Sequence, residues 1–289
     1  MSDFDACLGI SFAAHQLLYA VNFPAEKNSL AHVGCIDFNF DICAAISENH
    51  IQSIAAVENF LQEVREKYGC RTARLLIPAN QECWSVLPRS VYEESNERDA
   101  YVDILMNGSP AKNLQNTWFA MANQDYRFLL VRENSMTKRF EKLLKDFSEK
   151  ELLSEFEIGS EWQLLTNTNG SFMTVSSQEN YISVASFLFG KLRGSTYFQY
   201  EAIADVPFLW KYHSRNLSWM DGIHDQILTY GNQAQKLMDM HSSIWFDTDE
   251  VILMNTLNKM NVLADEKTYS FNLENAFPAI IQSLNLQPV

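Results

Sequence analysis

Two stretches of this chain, residues 7–77 and 171–246, read as the same succession of elements: three strands, a helix and a further strand. A repeated order of this kind demands two sheets of matching topology, because each half must pair its strands and cover its sheet in the same way. With 289 residues the chain is long enough for both halves and for a block between them. The fold class expected is therefore α/β, built as duplicated β-β-β-α-β halves with a small α/β subdomain inserted. The expected divisions are 1–81, 82–167 and 168–289.

In the first half, Cys7 to Ala13 is a short apolar strand, and His15 to Phe23 pairs with it until Pro24 ends the run. Leu30 to Phe40 is a third strand of mostly period-two character. The period then changes. Ile51, Ile54, Val57, Phe60, Leu61, Val64 and Tyr68 fall on one helical face, and Gly69 stands where a left-handed C-cap belongs. Ala73 to Ile77 is a buried strand closed by Pro78. In the second half, Ser171–Ser177, Tyr181–Phe189 and Lys191–Glu201 form a meander, with turns at Gln178-Glu179-Asn180 and at Gly190. A helix is expected from Ser218 to Met240, then a strand over Ile244–Phe246. A helix from Asp249 to Met260, a strand over Thr268–Phe271 and a helix through Ala276 to Leu284 complete the expected order.

The block between reads as a strand (Cys83–Leu87), an acidic helix (Asn96–Met106) and a hairpin pairing Thr117–Ala122 with Tyr126–Arg132. A helix follows, with Ser135 as its N-cap and Met136, Phe140, Leu143, Leu144 and Phe147 inward. The strand Trp162–Thr166 closes it.

The order of elements resembles the bacterial branch of the actin-like ATPase superfamily: the pilus-assembly actin homologue, the cytoplasmic part of the related type II secretion component, and the cell-division actin homologue. Leu8 to Ala14, leading to Leu18-Tyr19-Ala20-Val21, sits where that family opens with an apolar strand, an Asp-x-Gly turn and a lysine. Leu75-Leu76-Ile77-Pro78 and Val86-Leu87-Pro88 are similar to its strands flanking the inserted subdomain. Phe128 to Arg132, followed by Met136 to Phe147, is similar to its strand and helix leaving that subdomain. The resemblance implies a ribonuclease H-like fold, bound ATP and protein partners.

The nucleotide elements of that pattern are missing. An actin-like ATPase needs backbone N–H groups of a tight glycine turn at the phosphates and a carboxylate holding magnesium. In the first turn the acid would fall near Ser11 and the glycine near Ala13, and the lysine near Leu17 or Leu18. In the second, Asp-x-Gly would fall on Thr174-Val175-Ser176. The adenine-side glycine pair is replaced by Asp247-Thr248-Asp249. Three losses together point away from ATP binding and turnover.

Charge narrows the partners further. The formal net charge of -14 repels phosphate backbones and anionic headgroups, so nucleic acid is not expected. Lys138, Arg139, Lys142 and Lys145 are interleaved with Glu141 and Asp146 and read as a solvated helix face. The acidic start is not a secretory signal, and the most apolar run, Tyr181–Gly190, is far short of the roughly 20 residues of a membrane-spanning helix. Five cysteines without a C-x-x-C pair read as reduced, mostly buried thiols in a cytoplasm. Cys70 beside Arg71 is a weak candidate for a reactive thiol.

His213, Asp221, His224, Asp225 and His241 cluster in sequence, and Asp221 and His224 would share a face of the expected helix. The spacing does not suit zinc, and a polar helix surface accounts for them. Glu93, Glu94, Glu97, Asp99 and Asp103 form an acidic face open to solvent or to a basic partner. Phe187, Phe189, Tyr197, Phe198 and Tyr200 read as meander core, with some side chains facing away as a possible protein-contact face.

The functional expectation is a non-catalytic actin-like scaffold or adaptor in the cytoplasm, with no cofactor and no metal. Its expected partner is a protein: the short cytoplasmic tail of a membrane component, or another copy of the fold. Two alternatives stay open at this stage. One is an ATPase or kinase with atypical phosphate loops. The other is an unrelated α/β enzyme built on His213, Asp221 and His224.

Overall fold

Every residue of the first strand, β1 (Ala6–Ala13), is buried, which is why it reads as a continuous apolar run rather than an alternation. The computed structural model describes residues 6–23, 29–106, 113–222, 224–245, 250–260 and 262–285. β1 is followed by β2 (Gln16–Asn22), β3 (Leu30–Asp37), α1 (Ile42–Ser47), α2 (Ile51–Tyr68) and β4 (Cys70–Ile77). The middle of the chain holds β5 (Cys83–Pro88), α3 (Arg89–Glu93), α4 (Ser95–Leu105), β6 (Leu114–Ala120), β7 (Tyr126–Glu133), α5 (Asn134–Leu143) and β8 (Glu149–Ser154). Then come α6 (Ile158–Thr166), β9 (Ser171–Ser177), β10 (Tyr181–Leu188), β11 (Lys191–Gln199), α7 (Val206–Ser214), β12 (Gln226–Tyr230), α8 (Ala234–Asp239), α9 (His241–Ile244), β13 (Val251–Leu253) and α10 (Leu273–Ser283).

The duplication is visible in the sheets. The first has the order β3-β2-β1-β4-β8 and the second β11-β10-β9-β12-β13. In each, three strands form an antiparallel meander and two more join in parallel beside its first strand. A third, antiparallel sheet of order β5-β7-β6 belongs to the inserted block. The architecture is the α/β duplication expected from the sequence.

Helices α6 and α10 lie where the halves meet. Every residue of α10 except Glu274 is buried, the polar Asn275, Gln282 and Ser283 included, so the helix is packed on all sides. It packs on β1, β2 and β4 of the first sheet and on β12 of the second. Gly9 of β1 permits this approach: a methyl group there would overlap the Ala279 carbonyl oxygen. Leu18, Ala20 and Leu76 of the first half share one core with Phe172, Phe187, Leu228 and Tyr230 of the second, through α10. A second core under the first sheet joins Ile54, Val57, Leu61 and Val64 of α2 to Phe140 and Leu143 of α5, and Gly69 caps α2 with φ 68°. The basic run along α5 and just past its end is not wholly solvated: Lys145 and Lys142 reach Glu58 at 2.7 and 3.6 Å, and Arg139 donates to the Ile46 carbonyl at 3.0 Å.

Several local expectations are corrected. Ser218–Met240 is not one helix; it holds β12, and the crossover helix of the second half is α7, which begins before the expected start with Pro207 in its first turn. Proline is tolerated there because its missing N–H would be unpaired anyway. The described part of the expected 249–260 helix, from Glu250 on, contains β13 instead; of the expected strand over 244–246, Ile244 ends α9 and Phe246 lies outside the described residues; and Thr268–Ser270 is a 3-10 turn rather than a strand. Trp162–Thr166 is the end of α6, closed by Asn167 at φ 54°. Strand β8 was not foreseen, because its first half is charged and exposed. Helix α5 starts at Asn134 with Glu133 at the cap, so Ser135 stands in its first turn. Of the cysteines, Cys7 and Cys70 are buried while Cys35 is exposed.

Candidate functional site: the cleft between two hairpin turns

The repeated topology brings the β1–β2 and β9–β10 turns to opposite walls of one cleft of about 400 Å³. On one side stand Phe12, Ala13 and Ala14; on the other, Gln178, Glu179, Asn180 and Tyr181. Ala14 takes a left-handed conformation (φ 49°) with a side chain where glycine is usual. Its carbonyl accepts the Ile42 N–H at 3.0 Å, anchoring the start of α1, where Asp41 caps Ala44 N–H at 2.8 Å.

Ser11 lies inside β1 opposite Leu18, buried, and its hydroxyl has no partner among the described residues. Ala13 ends β1 and lines the cleft. Thr174 and Ser176 lie within β9, opposite Ala185 and Ser183, and the turn itself begins after them. Thr174 Oγ1 donates to the Ala185 carbonyl at 3.4 Å, and Ser176 Oγ accepts from Gln178 Nε2 at 2.9 Å. Asp247 lies outside the described residues. The structure thus joins Ala13 to residues 178–181 in one site and sets Ser11, Thr174 and Ser176 back in the strands.

The cleft is acidic. Asp41, Glu179 and Glu201 line it, and among the described residues it has no Lys or Arg. At separations near 4 Å, like charges on a protein surface repel by roughly 4 kcal/mol at an effective dielectric of about 20, so these groups oppose a polyphosphate. Among the described residues no glycine lines the cleft to give the close backbone approach that a phosphate turn uses.

Behind the cleft lies an acidic network that sequence reading missed, with Glu82 and Glu155 buried and Glu157 half-buried. Glu155 follows β8 and accepts hydrogen bonds from the Tyr181 and Ser183 hydroxyls of β10. Glu82 pairs with Arg132 at 2.6 Å, accepts from Ser154 Oγ at 3.0 Å and from Trp84 Nε1 at 2.8 Å. Glu157 accepts the Ser154 N–H at 2.8 Å. Burial pushes the Glu155 and Glu157 carboxyls up to about 7, and raises Glu82 against the pull of Arg132. The Ser154-x-x-Glu157 spacing is a visible helix-start signal, but only the fold shows that its carboxylates converge.

The other candidates have structural roles. His213 stacks on Phe198 with ring centroids 4.7 Å apart, His224 is buried and bonds Ser186 Oγ at 3.0 Å, and Asp225 accepts the Ser171 N–H at 2.8 Å. Asp221 and His224 do not share a helical face, because residues 221, 222, 224 and 225 are not helical. Among the described residues no three His, Cys, Asp or Glu side chains are grouped to hold a metal ion. Burial pushes the Cys70 thiol up to about 11, so it is not activated by Arg71. Glu93, Glu94, Glu97, Asp99 and Asp103 are all exposed. Phe187, Phe198 and Tyr200 are core, whereas Phe189 is 73% exposed.

The two matched sheets with a cleft between their hairpin turns define the actin-like ATPase fold. The same architecture is found in the PilM–PilN type IV pilus biogenesis complex, with a TM-score of 0.67, 10% identity, and coverage of 98% of this chain and 99% of that one. The cytoplasmic domain of EpsL, an inner membrane component of the type II secretion system of Vibrio cholerae, matches with a TM-score of 0.53 and 9% identity over 93% of this chain and 97% of that one. A Bacteroides thetaiotaomicron protein of actin-like ATPase fold and unknown function matches with a TM-score of 0.53 and 13% identity over 88% and 92%. No family model matches the chain, and no curated protein matches it. Among the described residues no helix is long and apolar enough to cross a membrane.

Proposed function

We propose that this chain is a non-catalytic actin-like scaffold that binds a protein partner in the cytoplasm, within a pilus- or secretion-type assembly. The observation that carries the reading is the inter-turn cleft, with Asp41, Glu179 and Glu201 on its walls and no cation among the described residues. We take Ser11, Ala13, Thr174, Ser176 and Asp247 as the positions where phosphate and adenine contacts have been lost. We also take 1–81, 82–167 and 168–289 as the sequence units of the scaffold, with β8 and α5 of the middle unit completing the sheet and core of the first.

The likeness to PilM in a complex with PilN, and to the cytoplasmic domain of a membrane component, favours the cytoplasmic tail of a membrane protein as partner. A groove of about 410 Å³ beside the inserted sheet offers it a place, lined by Ser47, Gln81, Cys83, Met106, Val131 and Met136. Arg139 ties that groove's α5 wall to the end of α1. An extended tail laid there would add its backbone hydrogen bonds to those of a sheet edge.

The test is calorimetric titration and thermal unfolding with magnesium-ATP, beside affinity capture from the native host. A ligand at about 100 times its dissociation constant stabilises by roughly 2.7 kcal/mol, so no shift at millimolar nucleotide is the expected result. Saturable ATP binding with magnesium-dependent turnover would overturn the scaffold and establish an ATPase.

A further inference from the structure

We propose that the inter-turn cleft is a receptor for a cationic peptide: a segment of another protein that carries Arg or Lys spaced by apolar residues. Its charged lining, among the described residues, is three carboxylates and no cation. Glu179 and Glu201 make no hydrogen bond or ion pair among the described residues, while Asp41 uses one oxygen on a helix cap.

A second observation is independent of those carboxylates. Gln178 is only 8% exposed and belongs to the same lining. Its Nε2 is spent on Ser176 Oγ, and its Oε1 has no partner. A buried carbonyl left this way calls for an N–H donor. A guanidinium or ammonium supplies several donors and a positive charge together.

The reason for a peptide, rather than a small cation, is the groove that continues from the cleft. It has a volume of about 660 Å³ and shares Asn180 and Glu201 with the cleft. It carries Asp205 and ends on Phe208, which is 73% exposed, with Tyr212 one helical turn further along α7 and 57% exposed. Carboxylates beside open aromatic faces complement side chains that join an aliphatic stem to a cationic head. The net charge of -14 would steer such a segment towards the protein. The inference goes beyond the scaffold reading, which concerns ATP and the groove beside the inserted sheet.

The experiment is fluorescence anisotropy with the purified full chain and a dye-labelled peptide alternating arginine and leucine. Saturable binding that weakens with salt is expected, together with no binding of the matching glutamate–leucine peptide. Neutralising exposed carboxylates one at a time changes affinity modestly, roughly two- to fivefold each, so Glu179→Gln with Glu201→Gln should weaken binding at least several-fold. Phe208→Ala should also weaken it. Glu97→Gln with Asp99→Gln, on the exposed face of α4, should leave it unchanged. Folding of each variant is checked by its unfolding midpoint.

The proposal is overturned if no saturable binding occurs, or if the α4 pair weakens binding as much as the cleft pair. It is also overturned if spermidine displaces the peptide while Phe208→Ala is neutral, which would make the cleft a small-cation site. ATP titration addresses the scaffold reading separately, so the two can fail independently.

Discussion

Arg74 on β4 and Glu161 on α6 form a buried, two-pronged ion pair, with Nη2–Oε1 and Nη1–Oε2 distances of 2.8 and 3.1 Å. Arg74 also reaches Glu151 at 2.7 Å and the Gln282 carbonyl of α10 at 3.4 Å. One side chain thus connects the first sheet to both helices at the junction of the halves. Removing Glu161 would leave the buried Arg74 guanidinium with only the half-exposed Glu151 as counter-charge. Glu161→Ala is expected to cost about 3–5 kcal/mol, read as a lower urea midpoint. Arg74→Met combined with Glu161→Leu should recover much of that loss, because no charge remains to desolvate.

The pH dependence of stability follows from Glu155 and Glu157. Their carboxyls titrate at about 7 in the folded protein, against the ordinary range near 4.3 in the unfolded chain. The folded state therefore binds more protons between those values. Their contribution is fully present below pH 4 or so and is lost as pH rises through about 7. Each group contributes on the order of 3 kcal/mol across that window. Around Glu155 the Ser183 and Tyr181 hydroxyls act against burial and Glu82 adds to it; around Glu157 the Ser154 N–H and Arg132 act against burial while Glu82 and Glu151 add to it. Unfolding midpoints measured from pH 5 to 8.5 should fall with pH, and Glu155→Gln should flatten the curve. A flat profile in the parent protein would show that these carboxylates are solvated.

Gly9 is predicted to be intolerant of any side chain. Because a methyl group at this position meets backbone of α10 rather than a flexible side chain, no rotamer change can relieve it. Gly9→Ala should destabilise by about 3 kcal/mol or more, at the upper end of overpacking effects. The measurement is equilibrium unfolding, with hydrogen exchange over 273–283 to show that α10 loosens.

The meander strands and α2 were legible because each carries one strong local signal: strand runs bounded by turns, or one apolar helical face ended by Gly69. The second half was harder to read. Ile227, Leu228 and Tyr230 are buried within a parallel strand covered on both faces, and a short apolar run of that kind satisfies helical and strand periods alike. β8 hid its role behind Glu149, Lys150 and Glu151, which are exposed at one end of an edge strand. The cleft was legible as two turns, but Gln178 and Glu179 took their place in it only once the strand register was known. Glu82, Glu155 and Glu157 converge from two parts of the chain, so no spacing rule could have found them.

Phe189 offers a prediction in the opposite direction. It holds φ 48° at the tip of the β10–β11 hairpin, next to Gly190 at φ 74°, so both central turn residues are left-handed. That is the conformation of the tight hairpin turn in which Asn-Gly is preferred, because a Cβ branch as bulky as a benzyl group crowds the backbone there. Phe189 gains little in return, being 73% exposed. Phe189→Asn is therefore expected to stabilise the protein by about 1 kcal/mol, seen as a raised unfolding midpoint with an unchanged denaturant slope. If the midpoint falls instead, the ring is held by contacts stronger than its backbone strain. A loss of partner capture without a loss of stability would place this aromatic tip on a protein-contact surface.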